Sequence, residues 1–247
     1  MTEIAIAFDV PTLAEALALD ERLGAGPEYA KVGLELFVAA GPDAVRAIRA
    51  RGRRVFLDLK LHDIPNTVRG AAASAARSGA DLLTVHAMGG EPMVRAAVEG
   101  IAAAGGATRV VAVTLLTSLD ASSLPPGFAQ PFDAGDAIAA LLEASERAGA
   151  LGIVCAAADL AAVRARHGRR FYAVTPGIRP AGADRHDQAR VSGIAEAVRL
   201  GSSLLVLGRA ITAVADPRRA LELARAERDR AQAAGANSPS GERFPVP

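Results

Sequence analysis

Short, almost wholly apolar runs recur along this chain, and each is followed by a segment with helical spacing. The runs are Ile4–Asp9, Tyr29–Gly33, Arg54–Lys60, Leu82–His86, Arg109–Leu115, Gly152–Ala156, Phe171–Thr175 and Ser203–Leu207. They do not alternate apolar with polar residues, which is the pattern of parallel strands covered on both faces. Thr12 and Glu15 make a T-x-x-E capping box behind Pro11, and Pro42 suits the first turn of a helix over Asp43–Arg51. Gly24, Gly52, Gly79, Gly105 and Gly149 stand where helical segments should stop. Eight strand–helix units in a row leave two architectures, a closed (β/α)8 barrel and an open doubly wound sheet. An open dinucleotide-binding sheet should carry G-x-G-x-x-G after its first strand, and Phe8-Asp9-Val10-Pro11-Thr12 stands there instead. The expectation is an α/β protein, a (β/α)8 TIM barrel built as a single domain over residues 1–233, with 234–247 as a flexible C-terminal tail.

The charge balance narrows the partners. Lys+Arg number 28 against Asp+Glu 27, a formal net charge of +1, which gives no electrostatic grip on nucleic acid or an anionic membrane. No apolar stretch reaches the ~18 residues of a membrane span, and Met1-Thr2-Glu3 opens without a basic leader. The single Cys155 rules out a disulfide framework and a multi-cysteine zinc site, and it reads as a small buried hydrophobe in a cytoplasmic protein. Of the 28 basic residues only Lys31 and Lys60 are lysine; the rest are arginine. A guanidinium stays protonated at any working pH, whereas an ammonium is compact and can release its proton, so the two lysines mark places where arginine does not serve.

Both lysines fall on expected strands, at the barrel face where chemistry collects. Strand one ends in Asp9, strand two carries Lys31, and strand three ends Leu57-Asp58-Leu59-Lys60-Leu61-His62-Asp63. Alternation puts Asp58 and Lys60 on one side of that strand and the three leucines on the other. Charges on a buried strand must be paired, so the acids and lysines should form one network. The Asp58 carboxylate favours the ammonium form of Lys60, ready to deliver a proton to a carbanion-like carbon. A fixed carboxylate beside a departing substrate anion suits loss of CO2. A second cluster follows strands seven and eight, where barrels often hold phosphate. There Thr175-Pro176-Gly177-Ile178-Arg179 and Leu207-Gly208-Arg209 offer glycine backbone and a bidentate guanidinium. His62 and His86 with Asp58 and Asp63 suggest a metal, but the Lys60 ammonium would repel it; the histidines read as satisfied partners at strand ends.

These residues resemble the orotidine 5′-phosphate decarboxylase family. The resemblance is carried by Phe8-Asp9-Val10, Lys31-Val32-Gly33, the string from Asp58 to Thr67 (D-L-K-L-H-D-I-P-N-T), Val85-His86, Thr114-Leu115-Leu116-Thr117-Ser118, Thr175-Pro176-Gly177-Ile178-Arg179 and Gly208-Arg209. It runs in order from residue 4 to about 217. D-x-K-x-x-D alone is shared with phosphosugar decarboxylases and aldolases on related barrels; the longer string with T-P-G-I-R is specific. The resemblance implies conversion of orotidine 5′-monophosphate to UMP and CO2, the last step of de novo pyrimidine nucleotide synthesis, with no metal and no cofactor. It implies that Lys60 protonates C6, that Asp58 faces the departing carboxylate, and that Lys31 and Asp9 contact the ribose. It also implies a homodimer with shared sites, in which Asp63, Ile64 and Thr67 serve the neighbouring subunit's substrate. Thr117 would contact the pyrimidine, Pro176, Arg179 and Gln188 would line a closing loop, and Gly208 and Arg209 would hold the phosphate. Two other readings stand behind it: a divalent-metal-dependent phosphosugar lyase on a related barrel, and a non-enzymatic nucleotide-binding barrel.

Overall fold

A computed structural model of the chain describes residues 1–116, 133–167, 171–180 and 192–236. The elements run β1 (Glu3–Ala7), α1 (Leu13–Leu23), β2 (Tyr29–Val32), α2 (Leu34–Ala40), α3 (Pro42–Ala50), β3 (Arg54–Leu61), α4 (Pro65–Ser78), β4 (Leu82–His86), α5 (Gly90–Ala103) and β5 (Arg109–Val113). They continue with α6 (Ala134–Arg147), β6 (Gly152–Val154), α7 (Ala157–His167), β7 (Tyr172–Thr175), β8 (Ile178–Arg179), β9 (Ser192–Gly193), α8 (Ile194–Arg199), β10 (Leu204–Leu207), α9 (Arg209–Thr212) and α10 (Pro217–Ala236). Eight parallel strands close into a barrel in the order β1-β10-β7-β6-β5-β4-β3-β2. The closing seam pairs Glu3 with Leu204 and Ile6 with Leu207. The eight expected strands are therefore present, in one domain. The two-residue β8 and β9 form a separate ribbon outside the barrel.

The near-continuous apolar runs are explained by two buried faces. Inside, Ala5, Tyr29, Phe56, Leu82, Val111, Val174 and Leu204 fill the cylinder as a plug. Outside, Ile4, Ile6, Val55, Leu57, Leu83 and Leu207 pack under helices that contribute Leu36, Val45, Ile48, Val68 and Met93. Each such side chain contributes about 1.5–3 kcal/mol when fully buried. At the base of the barrel the Arg54 guanidinium sits 4.1 Å over the Tyr29 ring and pairs with Glu3. The plug and this cation–π pair close the N-terminal end, so the C-terminal mouth is where a ligand can enter.

Local signals behave largely as expected. The Thr12 hydroxyl caps α1, accepting from the Glu15 N–H at 3.2 Å and donating to the Glu15 carboxylate at 2.9 Å. Pro42 is the first residue of α3. Helix α10 runs to Ala236, past the sequence-based end of the barrel at 233. Cys155 is fully buried, and burial pushes its thiol up to about 12. Among the described residues no helix is long and apolar enough to cross a membrane.

Candidate active site

Strand alternation carries the plug upward into a charged layer. Two residues beyond Tyr29, Phe56 and Leu82 stand Lys31, Asp58 and Thr84, and all three lie above the plug on adjacent strands. Lys31 Nζ donates to Asp9 Oδ1 at 2.8 Å and lies 3.7 Å from Asp58 Oδ2. Lys60 Nζ donates to both oxygens of Asp58 at 2.8 Å. Acid and base thus alternate along one row, Asp9–Lys31–Asp58–Lys60. The side chains of Lys31 and Asp58 are 10% and 13% exposed, those of Lys60 and Asp9 32% and 53%. A ligand arriving from the mouth therefore meets the Lys60 ammonium and the Asp9 carboxylate first, with the inner pair behind them. Burial works to raise the Asp58 carboxyl, but the Lys31 and Lys60 ammoniums and the hydrogen bonds from Lys60 and Thr84 outweigh it and hold Asp58 below the usual carboxylate range.

Asp58 and Lys60 share a side for a different reason from the one alternation gives. Leu57 pairs with Leu83 and Leu61 with Val85, so β3 spends four steps where β4 spends two. The excess is taken up in a bulge in which Lys60 has φ 50, the one non-glycine residue in the left-handed region among those described. That conformation costs a lysine roughly 1–2 kcal/mol, and such strain gathers where a side chain must be aimed. The Lys60 N–H donates to Thr84 Oγ1 at 2.8 Å, and the Thr84 hydroxyl donates to Asp58 Oδ1 at 3.0 Å.

Gly33 borders the row at the start of α2. A Cβ there would lie 2.6 Å from Asp9 Oδ1 and 2.9 Å from Lys31 Nζ, so only a residue without a side chain leaves room for that ion pair. His86, at the end of β4, faces His62 with ring centroids 5.2 Å apart. The expectation of satisfied histidines does not hold at His86. His62 is exposed, and His86 Nδ1 is buried without a hydrogen-bond partner among the described residues. Burial, then the neighbouring His62 and Lys60, push His86 below its usual value.

A second cationic cluster faces the mouth from β7–β8 and β10. Arg179 is 7% exposed, and its Nε has no hydrogen-bond partner among the described residues. Burial and then the charge of Arg209 push its guanidinium down from its ordinary value. Pro176 lies half-buried between β7 and β8, and Gly208 caps the short helix that begins at Arg209.

Other sequence-derived residues are not part of the row. Asp63, Ile64 and Thr67 are exposed at the start of α4; Asp63 Oδ1 accepts only from the Ile64 N–H, at 2.6 Å, among the bonds described. Thr117 and Gln188 lie outside the described residues. Sequence reasoning passed over Thr84 and the steric demand at Gly33. A lone hydroxyl in the apolar run Leu82–Val85 was the available signal for the first.

The profile of the "Orotidine 5'-phosphate decarboxylase / HUMPS family" matches residues 2–224. A protein of Anaeromyxobacter sp. (strain K) named orotidine 5'-phosphate decarboxylase is 54% identical over 215 residues, covering 87% of this chain and 92% of that protein. One of the same name from Nitratidesulfovibrio vulgaris (strain DP4) is 47% identical over 232 residues, covering 92% and 97%. The crystal structure of orotidine 5'-phosphate decarboxylase from Lactobacillus acidophilus matches with a TM-score of 0.80 at 32% identity, covering 93% of this chain and 100% of that one. On its profile, its close relatives and its barrel, the chain belongs to the orotidine 5'-phosphate decarboxylase / HUMPS family.

Proposed function

We propose that this protein decarboxylates orotidine 5′-monophosphate to UMP and CO2, the last step of de novo pyrimidine nucleotide synthesis. The observation that carries the reading is the Asp9–Lys31–Asp58–Lys60 row at the barrel mouth. The substrate carboxylate is held beside the Asp58 anion, which does not protonate to relieve the repulsion because its carboxyl is held low. As the C6–carboxyl bond breaks, its electron pair stays on C6 and CO2 departs. Lys60 Nζ then gives its proton to C6, and the amine regains a proton from solvent. Lys31 and Asp9 hold the ribose, and their mutual hydrogen bond fixes both side chains. The phosphate is held by Arg179, Arg209 and the Gly208 backbone; the Arg179 Nε, without a hydrogen-bond partner among the described residues, and the charge of Arg209 acting on it support an anion at that place. Binding energy from this remote group drives desolvation and orientation at C6. The family resemblance assigns Thr117 to the pyrimidine, and Pro176, Arg179 and Gln188 to a loop that closes over base and phosphate.

The protein acts as a homodimer in which Asp63, Ile64 and Thr67 reach the neighbouring subunit's site. Their exposure, and exposed apolar side chains at Leu34, Val38, Ile64 and Met88, support such an interface. The lone, inert Cys155 suits a cytoplasmic setting. The metal-dependent lyase is disfavoured because both oxygens of Asp58 are already engaged by an ammonium. The test is consumption of orotidine 5′-monophosphate, followed by absorbance and by UMP formed, with and without EDTA. One UMP per substrate at an EDTA-independent rate is expected. Loss of turnover with chelator would overturn the metal-free mechanism, and tight binding without turnover would favour the non-enzymatic reading.

A further inference from the structure

We infer that Thr84 is a positioning residue for the reacting ammonium: its hydroxyl ties the Lys60 main chain to the Asp58 carboxylate and holds Lys60 in the conformation from which it reaches the reacting carbon. The chemical role rests on the decarboxylase reading; the geometric one does not. Thr84 is fully buried on β4 between apolar Leu83 and Val85. An ionised carboxylate only accepts, so the single hydroxyl proton goes to Asp58 Oδ1, leaving a lone pair for the Lys60 N–H. Both bonds are therefore made at once and in one direction.

The β3 bulge explains why a hydroxyl is needed there. Pairing of β3 with β4 skips from Leu57–Leu83 to Leu61–Val85, which takes the Lys60 N–H out of the regular ladder. The Thr84 side chain takes the place of the missing main-chain acceptor and offsets the strain of Lys60 at φ 50. In an ordinary extended strand, residues two apart stand roughly 6.6 Å from one another along the axis. The bulge instead folds the Lys60 ammonium back onto both oxygens of Asp58, two residues earlier. Without the hydroxyl, the half-buried Lys60 N–H and a carboxylate oxygen each lose a partner, and β3 relaxes toward the regular ladder. Thr84 itself offers no surface to a nucleotide, so its loss should appear in turnover and not in ligand affinity.

The test uses Thr84→Val, Thr84→Ala and Thr84→Ser in the full-length protein, with kcat, the Kd for UMP and the thermal midpoint measured on each. Thr84→Val and Thr84→Ala are expected to lower kcat about 100-fold, as for a misplaced reacting group, with the UMP Kd unchanged. Thr84→Ser keeps the hydroxyl and should recover most of the loss. Wild-type kcat in either hydroxyl-free variant, or a serine variant as impaired as the valine one, would overturn the role. A crystal structure of Thr84→Val gives an independent reading: Lys60 should leave the left-handed region and lose one Asp58 oxygen, and an unchanged Lys60–Asp58 geometry would overturn the inference. If the wild type fails to turn over orotidine 5′-monophosphate, the decarboxylase reading falls, and that crystal structure still decides the positioning role.

Discussion

Lys60 occupies a backbone conformation that a lysine disfavours, with its N–H taken up by Thr84, and Lys31 is buried almost completely, with Asp9 and Asp58 beside its ammonium. The scarcity of lysine pointed to these two positions before any geometry was known, because a chain that uses arginine almost everywhere else keeps an ammonium only where its size or its labile proton matters. Their partners were legible from charge pairing on buried strands. The state of His86 was not, since burial by tertiary neighbours leaves no local trace in sequence. It makes a pH prediction. The folded value of His86 lies below its ordinary one, so as pH falls through about 6.5 the unfolded chain takes up a proton that the folded chain refuses. Stability from this group is present above that pH and lost on the way down to the folded value. The thermal midpoint of the wild type should therefore fall more than that of His86→Asn between about pH 7.5 and 5.5. Parallel curves would show that His86 ionises alike in both states.

At the scale of single elements, periodicity located the strands well and their interiors less well. The apolar run predicts a regular strand over Arg54–Lys60, whereas β3 extends to Leu61 and bulges at Lys60. Alternation led to the right pairing of Asp58 with Lys60 by a geometry the chain does not use. A bulge is set by what the neighbouring strand can offer, here the Thr84 hydroxyl, and no window along β3 alone contains that information. The junction of β2 and α2 carries a similar hidden demand. Gly33 has an ordinary φ of −92, so alanine is tolerated by the backbone and only its Cβ intrudes. The atoms in its way are the flexible ends of Asp9 and Lys31, which can shift while the barrel stays folded. Gly33→Ala should keep the thermal midpoint and lower kcat/KM about tenfold or more through displacement of that pair. Full activity in this variant would show that the Asp9–Lys31 bond is not needed.

For the whole molecule, the count of eight apolar runs and the absence of a dinucleotide loop sufficed for a closed barrel, while the seam between β1 and β10 joins residues some two hundred positions apart and emerges only on folding. One chain presents Asp63, Ile64 and Thr67 to solvent, and the proposed homodimer would give them a neighbouring subunit's site to serve. Lys60→Ala and Asp63→Asn, each inactive alone, should regain activity when unfolded together and refolded. A mixed dimer then holds one site with Lys60 from one chain and Asp63 from the other. No recovery, with mixed dimers demonstrated, would place Asp63 in its own chain's site. The charge row itself is tested most directly by the turnover of saturating orotidine 5′-monophosphate by Lys60→Ala, with UMP affinity measured beside it. Loss of the proton donor should lower kcat by about 1,000-fold or more while UMP binding stays near wild type; a kcat within tenfold of wild type, roughly 1.4 kcal/mol of barrier, would contradict the role assigned to Lys60.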